Sequence, residues 1–151
     1  MLHNLVLHNV LSEQEVQAID RAAILAFFQT AIGQKMIENP QAVRREVSFT
    51  MAVSAQEIRQ GRLLDRVVDE DQTVIVQGTV DAIYLEEDKI TIIDYKTDRL
   101  AKGQSLPIER YQMQMAIYRA AMERAFYLPV TKVCLYFTQA RKIEMIDQVG
   151  S

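Results

Sequence analysis

Two strand-like apolar runs, Thr73–Leu85 and Lys89–Lys96, flank the polar break Glu86-Glu87-Asp88-Lys89. A break this short joins neighbouring strands as an antiparallel hairpin. With the turn centred between Glu87 and Asp88, Asp81 falls directly opposite Asp94. Facing residues in such a pair hold their Cβ atoms roughly 4.5–5.5 Å apart. Asp94 and Lys96 are two residues apart, so a strand presents them on one face. Two facing carboxylates repel, and more strongly when half-buried. A divalent cation removes that penalty, and carboxylate oxygens are hard donors suited to Mg²⁺ or Mn²⁺. Lys96 on the same face can orient an attacking water or stabilise charge developing at phosphorus. The combination suits phosphodiester hydrolysis.

An Asp-x-Lys on a strand is also an ordinary surface ion pair, worth about 0–1 kcal/mol. What separates Asp94 and Lys96 from that reading is their setting. Ile90, Ile92 and Ile93 flank them, and the opposing run carries its own aspartate in register. Other residues stay open on residue type alone. Glu46, after Arg44 and Arg45 at a strand entrance, reads equally as an additional active-site acid or a surface acid. Gln114 and Tyr118 are four apart and share a helical face; by spacing they form the polar margin and part of the apolar stripe. Asp98 reads as a loop ion pair with Arg99 or Lys102, ahead of a role near the metal. His3 and His8 read as surface residues.

The remaining chain supplies a helix after the capping-box pattern Ser12-x-x-Glu15, with Val16, Ile19, Ala23 and Phe27 on one face. Gly33 ends that helix or joins it to a short second one near residues 34–38. A strand is predicted over Val43–Val53, and a helix over Ile108–Tyr127 with Tyr111, Met115, Tyr118 and Met122 as its stripe. A last strand follows over Thr131–Thr138, with a weak further strand in the tail. The fold class is α/β (α+β): a small mixed sheet flanked by helices in a single domain spanning residues 1–151. With 151 residues, 49% of them hydrophobic, the chain is sized for one core. Cys134 is the only cysteine, which excludes an intrachain disulfide or a four-cysteine cluster. A net charge of −3 argues against autonomous tight nucleic-acid binding, unless partner subunits supply the positive surface. No apolar run approaches the roughly 20 residues that span a bilayer. A soluble, intracellular protein is expected.

Asp81 followed by Asp94-Tyr95-Lys96 resembles the acid and D-x-K of the PD-(D/E)XK nuclease superfamily, in its RecB-like branch. Gly78-Thr79-Val80-Asp81, Asp94-Tyr95-Lys96-Thr97-Asp98 and Tyr111-x-x-Gln114-x-x-x-Tyr118 resemble, in order and spacing, the C-terminal nuclease domain of the A-type chain of AddAB-type bacterial helicase–nucleases. The likeness runs from about Phe27 to Phe137. It implies a restriction-endonuclease-like core and a Mg²⁺-dependent deoxyribonuclease of exonuclease type, with Mn²⁺ able to substitute. Asp81, Asp94 and the Tyr95 backbone carbonyl would hold the metal, and Lys96 would be the catalytic lysine. Gln114 and Tyr118 would position a DNA strand, which reverses the reading from spacing alone. The implied partners are single-stranded DNA, the rest of a helicase–nuclease chain and its second subunit, in the bacterial cytoplasm during recombinational repair. A non-catalytic DNA-guiding or docking module is the alternative. Two features depart from the pattern. No Gly-Thr-x-x-His context supplies the usual upstream ligand, and no G-x-x-x-x-G-K-[ST] phosphate loop occurs. The chain is therefore expected to be a piece of a larger polypeptide, with no iron–sulfur cluster and no nucleotide site of its own.

Overall fold

The computed structural model describes residues 21–54, 57, 73–98 and 103–146. His3, His8, Arg99, Lys102 and the capping box at Ser12 lie outside the described residues. Five strands form one sheet in the order β1-β2-β3-β4-β5: β1 Val43–Ser54, β2 Thr73–Leu85, β3 Ile90–Lys96, β4 Val130–Phe137 and β5 Lys142–Ile146. Among the described residues three α-helices accompany it: α1 Arg21–Phe28, α2 Ala31–Glu38 and α3 Ile108–Phe126. The first three strands meander antiparallel, β3 and β4 run parallel through α3, and β5 returns antiparallel. This is the expected mixed sheet with helices, an α+β architecture consistent with a restriction-endonuclease-like core.

The β2–β3 register matches the expectation from the turn. Leu85 pairs with Ile90 and Ala82 with Ile93, and the Glu86 N–H closes the turn on the Lys89 carbonyl at 2.9 Å. The burial patterns of the strands differ by position. β1 and the first half of β2 alternate between exposed and partly buried residues. In β3 every residue except Tyr95 is buried. A strand covered on both faces loses its polar alternation, which is why Ile90-Thr91-Ile92-Ile93 reads as a near-continuous apolar run.

Two cores do the covering. On one face Met115, Ala121 and Met122 of α3 pack against Ile83, Ile90, Ile92, Val133, Leu135 and Phe137. On the other, Phe27 of α1 and Met36 of α2 pack on Ala82, Tyr84, Ile93, Cys134 and Tyr136. Phe27 sits at the centre of that second face, its ring 5.3 Å from Tyr95 and 5.1 Å from Tyr136. The Tyr136 hydroxyl donates to the Ala23 carbonyl at 2.6 Å, tying α1 to β4. Cys134 is a buried core residue, as expected, and burial pushes its thiol up to about 11.

The helix break departs from the expected place. Gly33 lies inside α2, and the chain turns at Gln29-Thr30 instead. Thr30 is the N-cap of α2, its Oγ1 accepting from the Gly33 N–H at 3.2 Å. A hydroxyl N-cap satisfies an orphan donor and so starts a helix more firmly than a glycine stops one. Gly33 serves a different purpose. A Cβ there would lie 2.2 Å from the Phe27 carbonyl oxygen and 2.7 Å from the Phe28 Cα, so only glycine lets α2 pack this closely on the end of α1.

An alanine in a helix interior ordinarily gains roughly 1 kcal/mol over glycine. Gly33→Ala is expected to lose stability instead, by about 1–3 kcal/mol, because the clash is with backbone. Urea denaturation checks this; a more stable variant would contradict the close approach.

Candidate active site

β3 ends on Asp94-Tyr95-Lys96, and β4 holds that end in place. The Thr138 N–H and hydroxyl both donate to the Lys96 carbonyl, at 2.9 and 3.1 Å. On the other side the β2–β3 ladder runs to Ala82↔Ile93, and one further step in the same register sets Asp81 against Asp94. Asp81 uses its side chain there: its Oδ2 accepts the Tyr95 N–H at 2.9 Å. One carboxylate oxygen is thereby committed to the backbone of β3, beside Asp94.

Asp94 is 3% exposed and Lys96 9%. The Lys96 ammonium lies 2.5 Å from Asp94 Oδ2. That oxygen nonetheless makes no hydrogen bond of acceptable angle, so the pair is a close charge contact without a well-aligned bond. Burial is the main reason that the Asp94 carboxyl is raised to about 6; the neighbouring Asp81 charge raises it further, and Lys96 opposes both. Asp81 and Asp94 therefore do meet, on the face expected, and Lys96 joins them.

Lys96 has two further partners, both on α3. Its Nζ donates to Gln114 Oε1 at 2.7 Å, and it lies 4.0 Å from the centroid of the Tyr111 ring. Gln114 Nε2 donates to the Tyr118 hydroxyl at 3.0 Å. Burial and the Asp94 charge push the Tyr118 phenol above its ordinary value. The Tyr118 ring meets Phe49 of β1 edge-on, 5.8 Å between centroids. Phe49 in turn lies over Gly78, where a Cβ would come within 2.8 Å of the Phe49 ring. The glycine of the Gly-x-x-Asp motif thus makes room for the aromatic pair that backs Gln114.

The other expected residues are placed as follows. Tyr95 turns its ring to the α1 face, in contact with Phe27, and burial raises its phenol to about 12. Glu46 is exposed, with φ of 50°, a left-handed conformation rare outside glycine. It occupies the position opposite Asp81 where the β1–β2 pairing skips from Arg45↔Ala82 to Val47↔Val80. Among the described residues no group of three His, Cys, Asp or Glu is gathered as a metal site. Asp98 pairs with Arg110 at 3.2 Å and accepts the Tyr111 hydroxyl, both on α3. The contact of Tyr111 with Lys96 goes beyond what the sequence leads one to expect. Its only sequence signal is the spacing 111, 114, 118, which puts three polar-tipped side chains on one helical face.

A family profile described as the PD-(D/E)XK nuclease superfamily matches residues 3–149. The chain belongs to that superfamily. It is also similar to the A-type chains of bacterial ATP-dependent helicase/nucleases. That of Bacillus cytotoxicus is 34% identical over 147 residues, covering 92% of this chain and 11% of the relative. That of Bacillus pumilus is 34% identical, with 91% and 11% covered. That of Listeria monocytogenes serovar 1/2a is 30% identical, with 97% and 12% covered. The chain thus spans about a tenth of the length of the curated relatives it matches. No helix among the described residues is long and apolar enough to cross a membrane.

The donor set of this nuclease-family site fits a divalent cation. Asp94 Oδ2 is a buried oxygen with no aligned donor, Asp81 stands beside it, and both are hard ligands. Without a cation, ionising Asp94 is unfavourable in the fold. Its folded pKa, about 6, exceeds the ordinary value of 3.8, so the folded state holds this proton more tightly than the unfolded chain does. Asp94 therefore stabilises the metal-free fold most below pH 4, and that contribution is lost as pH rises through about 6. Asp94→Asn has no carboxyl to titrate. In EDTA its stability relative to wild type is expected to climb by on the order of 2 kcal/mol between pH 4.5 and pH 8. Parallel urea curves for the two proteins would contradict the buried, repelled carboxyl.

Proposed function

We propose that the chain is the nuclease domain of a helicase–nuclease and hydrolyses phosphodiester bonds of single-stranded DNA with Mg²⁺, which Mn²⁺ can replace. The observation that carries this reading is the buried Asp94 oxygen, in charge contact with Lys96 and flanked by Asp81, in a chain of nuclease-family sequence. Asp81 and Asp94, with the Tyr95 carbonyl, would hold the cation, and Glu46 across from Asp81 is an additional acid at the rim. When bound, the cation supplies polarisation of the phosphate and acidification of the attacking water.

The side chains divide the remaining work. The Lys96 ammonium, held by Gln114, is pre-aimed beside the carboxylates, where it donates to the water or to the charge that builds at phosphorus. Its donors are already desolvated, so little reorganisation accompanies the reaction. Gln114 also fixes the Tyr118 hydroxyl, and that pair lies along the helix face from which a strand would be guided. A strand delivered by a helicase arrives single, which relieves this acidic chain of binding duplex by charge alone. The larger protein would act in double-strand-break repair in the bacterial cytoplasm, and its other domains and second subunit would supply the positive surface. Cutting of the exonuclease type suits such threading.

A 5′-labelled single-stranded oligonucleotide is expected to be degraded in Mg²⁺ or Mn²⁺ and left intact in EDTA. Lys96→Ala and Asp94→Ala are each expected to lower the rate at least about 10²-fold. DNA binding without metal-dependent cleavage would instead make the chain a guiding module.

A further inference from the structure

Lys96 carries three N–H donors, and the structure accounts for three partners: Asp94, Gln114 and the face of Tyr111. The first two are polar atoms at 2.5 and 2.7 Å. The third is a ring centroid at 4.0 Å, well within the roughly 6 Å over which a ring quadrupole attracts an ammonium. We propose that Tyr111 is a positioning residue for Lys96, with Asp98 as the anchor that fixes the tyrosine ring.

The chemistry favours a ring at this position. Asp81 and Asp94 already crowd negative charge, and burial makes that crowding worse. A third carboxylate beside the lysine would add to the repulsion and draw the ammonium away from the phosphate. An aromatic face attracts the ammonium while adding no net charge. It also excludes water from the third donor, consistent with Lys96 being only 9% exposed.

The ring is held from its far end. Tyr111 donates its hydroxyl to Asp98 Oδ2, while Arg110 takes Oδ1 at 3.2 Å. Asp98 thereby joins the end of the β3 segment to the first turn of α3, two residues beyond Lys96. The Asp98 carboxylate is partly shielded, its side chain 19% exposed, whereas Arg110 is 67% exposed and contributes little. The Tyr111 ring also packs on Phe137 of β4, 6.2 Å between centroids. It is thus fixed at its hydroxyl and along its side, with a face left for the ammonium. Burial, and then the bond to Asp98, raise the Tyr111 phenol above its ordinary value.

The kinetic part of this inference rests on the nuclease reading; the geometric part does not. The test pairs steady-state cleavage of a single-stranded oligonucleotide in saturating Mg²⁺ with NMR of the protein labelled with ¹³C-lysine in EDTA. The Lys96 Hε signal, assigned by its disappearance in Lys96→Ala, is expected to be shifted upfield by the ring. The shift is retained in Tyr111→Phe and lost in Tyr111→Leu. In kinetics Tyr111→Leu is expected to lose about 3- to 30-fold in kcat with KM unchanged, while Tyr111→Phe keeps kcat within about threefold. Should Tyr111→Leu fail to fold, the anchor is removed instead. With Asp98→Ala in its place, because an asparagine oxygen would still accept the Tyr111 hydroxyl, the effect is expected to match Tyr111→Phe and to add nothing to it in the double variant, since both remove the Tyr111–Asp98 bond. An unshifted Lys96 signal in wild type overturns the proposal whatever the activity. So does Tyr111→Phe as damaged as Tyr111→Leu, or an effect on KM alone. A shifted signal in a wild-type protein that cuts nothing would refute the nuclease reading and leave the ring contact standing.

Discussion

The contact between Lys96 and Asp94 governs how the rest of the molecule is arranged. Burying an ammonium and a carboxylate costs several kcal/mol per ion before any mutual attraction is counted. Here the carboxylate is also beside a second acid. Such an arrangement persists only where surrounding structure holds it. The central position of β3, paired on both sides, supplies that hold, and both cores press on it. Gln114 and Tyr111 reach across from α3 to take the ammonium donors that Asp94 does not.

The same constraint explains features that look unrelated. The Asp81 side chain accepts the Tyr95 N–H, so its carboxylate stays near Asp94 and is partly compensated by a backbone dipole. Opposite it, Glu46 adopts a left-handed conformation at the one position that the β1–β2 pairing skips. A left-handed non-glycine residue costs of order 1 kcal/mol or more and persists only where the surrounding structure holds it. Gly78 and Phe49 continue the logic outward: the missing side chain at one position admits the ring that backs Tyr118 and Gln114.

Much of this is legible in the sequence because strand periodicity and a short polar turn leave little freedom. Glu86–Lys89 sets the hairpin register, and the register brings Asp81 to Asp94. The apolar run of β3 announces a strand covered on both faces. Family resemblance, and not spacing, brings out Gln114, whose partner lies 18 residues away on another element. The tyrosine at 111 looks like one more member of an apolar stripe, since a ring–ammonium contact is set by how α3 sits on the sheet. Asp98 reads from sequence as paired within its loop, yet the partners described for it come from α3. The helix break falls at Thr30 and not at Gly33, because a hydroxyl cap outweighs a glycine. β5 is only weakly marked, being short and at an edge.

The central claim is that two facing carboxylates beside a held ammonium form a cation site. Anomalous scattering from a crystal soaked in Mn²⁺ tests it most directly. The account predicts a single strong peak touching both Asp81 and Asp94, with Lys96 adjacent and no such peak in Asp94→Asn. Manganese bound elsewhere, or no ordered peak at saturating metal, would contradict it.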